Sequence, residues 1–109
     1  MGMTHTYATE SEAPARADID RWPAALVLEF GTGWCGYCQA AQPLIEQAFA
    51  AYPQVDHLKI EDGSGRALGR SFRVKLWPTL VFLRDGQEVA RLVRPAGVQE
   101  IARALGQIA

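Results

Sequence analysis

The sequence lacks the features that would place the protein in a membrane or on a nucleic acid. Its apolar runs, such as residues 24–28 (AALVL), are far too short to span a bilayer. The 11 basic and 12 acidic residues nearly cancel, which argues against a nucleic-acid-binding surface and against an acidic tail. Residues 1–20 contain no apolar stretch of signal-peptide length. We therefore expect a cytoplasmic protein with no membrane or nucleic-acid partner.

Cysteine is scarce, and the only two cysteines, Cys35 and Cys38, lie close together in WCGYC. Three interpretations compete. A structural disulfide would close a loop too short to constrain the unfolded chain much, and such bridges are rare in the cytoplasm. A zinc site needs two more ligands, and the only histidines are His5 and His57, although a half-site completed by a second chain remains open. The third interpretation is a redox couple.

The pattern along the chain predicts one α/β domain. Of its 109 residues, 49% are apolar, enough for a single modest core. We expect a flexible arm or short edge strand at 1–10, and a single domain at 11–109. The predicted helices are 11–22, 35–51, 66–72 and 97–109, and the predicted strands are 24–30, 55–61 and two strands within 79–93 around Asp85-Gly86.

The order of these elements defines the sheet. The strand–helix–strand unit at 24–61 requires a parallel pair with a right-handed crossover, whereas the later hairpin must be antiparallel. The sequence therefore predicts a mixed sheet of about four or five strands flanked by about four helices.

The position of the cysteines favours the redox interpretation. They lie at the junction of a predicted strand and a predicted helix, where a C-x-x-C pattern indicates a redox motif. Cys35 is at the helix N-terminus, where unpaired N–H groups and the helix dipole favour a thiolate. Cys38 is on the same face one turn further along, within bridging distance.

Three segments carry a resemblance to the thioredoxin family: LVLEFGTGWCGYCQAAQPLIEQAF, LWPTLVFLRDGQEV and the helical tail. The likeness covers about residues 24–109 and implies a thioredoxin fold. It also implies that Cys35 attacks disulfides in protein substrates, that Cys38 resolves the mixed disulfide, and that no cofactor or metal is bound. A thioredoxin reductase would supply electrons to what we expect to be a monomer. Pro43 would lie within the active-site helix.

Glu29 interrupts the most apolar strand, six residues before Cys35. An isolated buried carboxylate is costly, so Glu29 should be protonated, hydrated or paired, and its replacement by leucine should raise stability. The resemblance implies a buried acid here that transfers a proton for Cys38. Lys59 is the expected charged neighbour, whereas His57 is interpreted as an ordinary strand histidine.

The resemblance also predicts a substrate-binding surface around the cysteines. Its expected members are Trp34, Gly36, Tyr37, Trp77, Pro78 and Arg94. Trp34 would shield the thiol and contact substrate. A cis bond before Pro78 would let Trp77 pair its backbone N–H and C=O with an extended substrate strand.

Four residues depart from the family pattern. Tyr37 stands where thioredoxins commonly have proline, and Gly31 where they have a bulky aromatic residue. Trp77 replaces a small residue, and Arg94 replaces a glycine. The predicted function is reduction of protein disulfides through Cys35 and Cys38. The alternatives are a thiol oxidase or disulfide isomerase in an oxidising compartment, and a non-catalytic binding module or metal-bridged dimer.

Overall fold

A computed structural model describes residues 2–109. The part of the 1–10 prediction that concerns Met1 lies outside the described residues. The elements are β1 (Tyr7–Ala8), α1 (Arg16–Asp20), β2 (Ala25–Gly31), α2 (Gly36–Phe49), β3 (Asp56–Glu61), α3 (Ala67–Ser71), β4 (Thr79–Arg84), β5 (Gln87–Val93) and α4 (Val98–Ile108). Within residues 2–109, no helix is long and apolar enough to cross a membrane.

The strands form one mixed sheet of five, in the order β1-β3-β2-β4-β5. β3 pairs in parallel with both β1 and β2, and β4 pairs antiparallel with both β2 and β5. The predicted parallel unit, hairpin and mixed sheet are therefore confirmed. β2 is central, which explains why residues 24–30 form a nearly continuous apolar run.

Different helices cover the two faces of the sheet. Successive side chains of β2 point to opposite faces, so they pack against different helices. Val27 packs in one cluster with α2 and α4, through residues such as Ile45 and Leu105. Leu26 and Leu28 pack in a second cluster with α1 and α3. The end of β2 and the start of α2 are thereby held between two packed layers.

The first helix is shorter than predicted. It spans Arg16–Asp20 rather than 11–22, and Ser11 lies in a turn before it. Pro14 explains the difference, because a proline disfavours helical geometry in the residue before it. The helix begins instead beside Ala15, whose N–H donates to the Asp18 carboxylate at 3.1 Å.

The hairpin turn has the geometry that its sequence predicts. Asp85 and Gly86 both have positive φ, at 51° and 79°, as a two-residue type I′ turn requires. A Cβ at Gly86 would collide with the Asp20 carbonyl, so glycine is needed for space as well. The Asp85 carboxylate accepts the Ala24 N–H at 2.8 Å and ties the turn to the start of β2.

The N-terminal arm lies along the outer edge of β3. The Gly2 N–H donates to the Val55 carbonyl at 3.0 Å, and Tyr7 pairs with Lys59 in β1. Between them, the Thr4 N–H donates to Nδ1 of His57 at 2.8 Å. The arm therefore contacts the strand that follows the active-site helix.

Candidate active site

The two cysteines are at the start of α2, a few residues after the carboxyl end of the central strand β2. Cys35 is the N-cap residue of α2, and its sulfur accepts the Cys38 N–H at 3.2 Å. Both thiols are free, with Cys35 7% exposed and Cys38 1% exposed. The N–H that reaches the Cys35 sulfur belongs to Cys38, so this hydrogen bond does not depend on which residue occupies position 37. A donor at a helix N-terminus favours Cys35 as the thiolate.

Cys38 is in a different electrostatic environment. Burial raises the pKa of its thiol to about 11, and its hydrogen bond to the Cys35 sulfur contributes in the same direction. Hydrogen bonds from the Thr32 backbone and the Tyr7 side chain act in the opposite sense. The two thiols are therefore unequal, and Cys38 carries its proton at neutral pH.

Glu29 is completely buried, and both of its carboxylate oxygens are hydrogen-bonded. Oε1 lies 3.0 Å from Nε2 of His57, and Oε2 accepts from Nε2 of Gln42 at 2.7 Å. Of the three states considered for this acid, the structure shows the paired one. Replacement of Glu29 by leucine would leave the N–H groups of His57 and Gln42 without this acceptor, which opposes the expected gain in stability.

Lys59 is aligned with Glu29 across β2 and β3, as the sequence predicts. Its ammonium nevertheless reaches Glu29 through an intermediary, since Nζ donates to Oε1 of Gln42 at 3.0 Å. Gln42 also donates to the Cys38 carbonyl at 3.0 Å. Gln42 thus links the buried acid, the buried lysine and the turn that carries Cys38. Its position four residues after Cys38, on the same helical face, was the available sequence signal.

His57 has a defined part in this network, so the interpretation of an ordinary strand histidine was wrong. It is fully buried, and its Nδ1 accepts the Thr4 N–H. The ring hydrogen must therefore be on Nε2, which donates to Glu29. The fixed register of β3 beside β2 places His57 and Lys59 on the same face, two residues apart.

Tyr7 is a site residue that sequence patterns did not reveal. Its hydroxyl lies beside Cys38, because a Cβ built on Gly31 would be 3.1 Å from the Tyr7 hydroxyl oxygen and 2.6 Å from the Cys38 sulfur. Nζ of Lys59 lies 4.2 Å from the centre of the Tyr7 ring. Burial, followed by the charge of Glu29, raises the pKa of the Tyr7 phenol well above its usual range. Tyr7 comes from the N-terminal arm, far from the cysteines in sequence, and only the β1–β3 pairing brings it here.

Two tryptophans, one exposed and one half-buried, lie in contact beside the cysteine turn. Trp34 is 76% exposed, and its ring meets that of Trp77 edge-on, with centroids 5.8 Å apart. Nε1 of Trp77 donates to the Asp62 carboxylate at 2.9 Å, which fixes its orientation. Trp34 is therefore accessible beside Cys35, and its contact with substrate stays a prediction.

Arg94 changes the expected role of Trp77. The Trp77–Pro78 bond is cis, as the resemblance implied. However, the Trp77 carbonyl accepts from Nε of Arg94 at 2.8 Å, so Arg94 occupies one of the two acceptor positions that a substrate strand could use. The Arg94 guanidinium also lies 3.8 Å above the Tyr37 ring. Arg94 therefore bridges the cysteine turn and the cis-proline loop.

The backbone positions of Arg94 and Gly36 differ in whether they favour glycine. Arg94 has φ of 51°, in the left-handed region that favours glycine. Gly36, in contrast, is in the first turn of α2, where an added Cβ would meet no atom within 4 Å. Among residues 2–109, no group of three or more His, Cys, Asp or Glu side chains could hold a metal ion.

Comparisons with known proteins agree with this geometry. A family model described as thioredoxin matches residues 9–107. Thioredoxin-1 of Saccharomyces cerevisiae is 30% identical over 100 residues, which cover 90% of this chain and 94% of the yeast protein. The solved structure of reduced thioredoxin 2 from Pseudomonas aeruginosa PAO1 is 55% identical. It has a TM-score of 0.82, with 96% of this chain and 99% of that chain covered.

Proposed function

The chain belongs to the thioredoxin family and is a thiol–disulfide oxidoreductase, and from this premise we propose that it reduces disulfides in protein substrates. Cys35 is the attacking thiolate and Cys38 the resolving thiol. The observation that supports these roles is the inequality of the two sulfurs. The Cys35 sulfur accepts a helix N-terminal N–H, whereas burial raises the pKa of Cys38 to about 11.

The reaction transfers two electrons in two exchange steps. The Cys35 thiolate attacks one substrate sulfur, the other leaves as a thiolate, and a mixed disulfide remains. Cys38 then loses its proton and attacks the Cys35 sulfur, and the second substrate sulfur leaves with the bonding pair. After protonation the substrate holds two thiols, and the protein holds a Cys35–Cys38 disulfide.

Glu29 is the proposed acceptor of the proton that leaves Cys38. Its carboxylate is buried, and Gln42 connects it to the turn that carries Cys38, through hydrogen bonds of 2.7 and 3.0 Å. A carboxylate in a water-poor site is suited to general acid–base work. Trp34, Gly36, Tyr37, Trp77, Pro78 and Arg94 are proposed to form the substrate-binding surface.

We place this activity in the cytoplasm, where cellular reductants keep thiols reduced. A thioredoxin reductase is the proposed electron donor, and the substrates are proteins with accessible disulfides. No cofactor other than the cysteine pair takes part in the proposed reaction.

Trapping of mixed disulfides tests the assignment. With insulin as substrate, Cys38→Ser should accumulate a covalent adduct on a non-reducing gel, and Cys35→Ser should give none. Equal trapping by both variants would overturn the assigned roles. The wild-type protein should reduce insulin with and without added zinc. Loss of activity in zinc would instead favour the metal-bridged alternative.

A further inference from the structure

Gly31 leaves a space beside Cys38 that Tyr7 occupies. A Cβ built on Gly31 would lie 2.6 Å from the Cys38 sulfur and 3.1 Å from the Tyr7 hydroxyl oxygen. The first of these distances is closer than real side chains approach, so any larger residue would have to displace the thiol or the phenol. The absence of a side chain at position 31 therefore allows Tyr7 and Cys38 to meet.

The Tyr7 hydroxyl and the Cys38 sulfur border the same space beside Gly31, and of these two groups the phenol is the stronger donor. The negative charge of Glu29 acts on the phenol from β2, and the two cysteines act on it from the start of α2. Lys59 covers one face of the ring from β3, with Nζ 4.2 Å from its centre. Burial and these anionic neighbours keep the hydroxyl protonated, because a phenolate would add a further negative charge.

We propose that the Tyr7 hydroxyl stabilises the Cys38 thiolate by donating a hydrogen bond to it, and so accelerates release of substrate from the mixed disulfide. This role rests on the proposed function, in which Cys38 must ionise before it attacks Cys35. In the resting protein the Tyr7 hydroxyl already lies beside the Cys38 thiol, which must later attack the Cys35 sulfur. The Thr32 backbone also lowers the pKa of Cys38, so the Tyr7 hydroxyl adds to a stabilisation of the thiolate that is already present.

The expected size of the effect follows from two opposing consequences of the hydrogen bond. One hydrogen bond to a charged group changes the thiolate fraction by about tenfold or somewhat more. A more stable thiolate is also a weaker nucleophile. The less stable thiolate of the Tyr7→Phe variant would therefore react about threefold faster once formed, which offsets part of its lower abundance. Tyr7→Phe should therefore slow attack by Cys38 about threefold at pH 7.

Stopped-flow reaction with Ellman's reagent separates the two steps. The reduced protein releases one thionitrobenzoate when Cys35 attacks and a second when Cys38 resolves the mixed disulfide. In Tyr7→Phe, the second phase should slow about threefold and its pH profile should move to higher pH, while the first phase stays close to wild type. Phenylalanine keeps the ring that Lys59 covers, so only the hydroxyl is lost.

Tyr52→Phe is the matched control, because it also removes one tyrosine hydroxyl. Tyr52 follows the C-terminal end of α2 and lies beside Gly106 of α4. In Tyr52→Phe, the rate of the second phase should equal that of the wild-type protein. A second phase in Tyr7→Phe with wild-type rate and pH profile would overturn the role of Tyr7. Loss of both phases in wild-type protein would instead overturn the proposed function, so the two failures are distinguishable.

Discussion

Replacement of Glu29 by leucine should destabilise the reduced protein, contrary to the expectation for an isolated buried acid. The carboxylate accepts N–H groups from His57 and Gln42 at 3.0 and 2.7 Å. Leucine would leave the His57 N–H without an acceptor in a fully buried position, at a cost of about 1–3 kcal/mol. Part of this cost is offset, because the leucine side chain carries no charge whose burial must be compensated.

We therefore expect the free energy of unfolding to fall by about 1–3 kcal/mol in Glu29→Leu. Urea unfolding followed by tryptophan fluorescence measures this change. An unchanged slope of the free energy of unfolding against urea concentration would show that both proteins undergo the same unfolding reaction. The double variant Glu29→Leu/His57→Phe removes donor and acceptor together, and the new aromatic ring would take the place of the imidazole beside Phe49. It should lose at least about 0.5 kcal/mol less than the sum of the single variants. A Glu29→Leu protein as stable as wild type, or more stable, would refute the paired-carboxylate reasoning.

Two further predictions concern Cys38 and Arg94. Because burial raises the pKa of Cys38 to about 11, the unfolded chain releases this proton first as pH rises, and the free energy of unfolding should fall between about pH 9 and pH 11. Cys38→Ala should remove up to about 2–3 kcal/mol of that fall in urea titrations, and an identical pH dependence in both proteins would contradict the raised pKa. Arg94 lies on the proposed substrate-binding surface but competes with substrate for the Trp77 carbonyl, so Arg94→Gly should lower the KM for insulin severalfold. Arg94→Lys is its control, and an unchanged KM in Arg94→Gly would show that the carbonyl does not bind substrate.

The fold could be predicted because its signals are local. The apolar run of β2, the Asp85-Gly86 turn and the alternating pattern of β3 each act over a few residues. The cysteine turn was equally visible, since its chemistry depends on residues adjacent in sequence. Only α1 was misjudged in extent, where Pro14 limits the helix more strongly than the cap pattern suggested.

The network around Glu29 could not be predicted in the same way. Tyr7, His57 and Gln42 meet only because β1, β3 and α2 converge beside one end of β2. An error of one residue in strand register would turn His57 to the opposite face. Lys59 was correctly aligned with Glu29, but nothing in the sequence indicated that an amide would stand between them.

The edge strand β1 gives the active site a point of local instability. Only Tyr7 and Ala8 belong to it, and the arm before it is attached through hydrogen bonds of Gly2 and Thr4 and through packing of Met3. Detachment of so short a segment does not require the core to unfold, so it is a low-energy opening. Each opening withdraws the Tyr7 hydroxyl from Cys38 and the Thr4 N–H from His57 together. The average reactivity of the buried thiol is thus tied to how often β1 and the segment before it detach from β3, which amide hydrogen exchange at Thr4 and Tyr7 would measure.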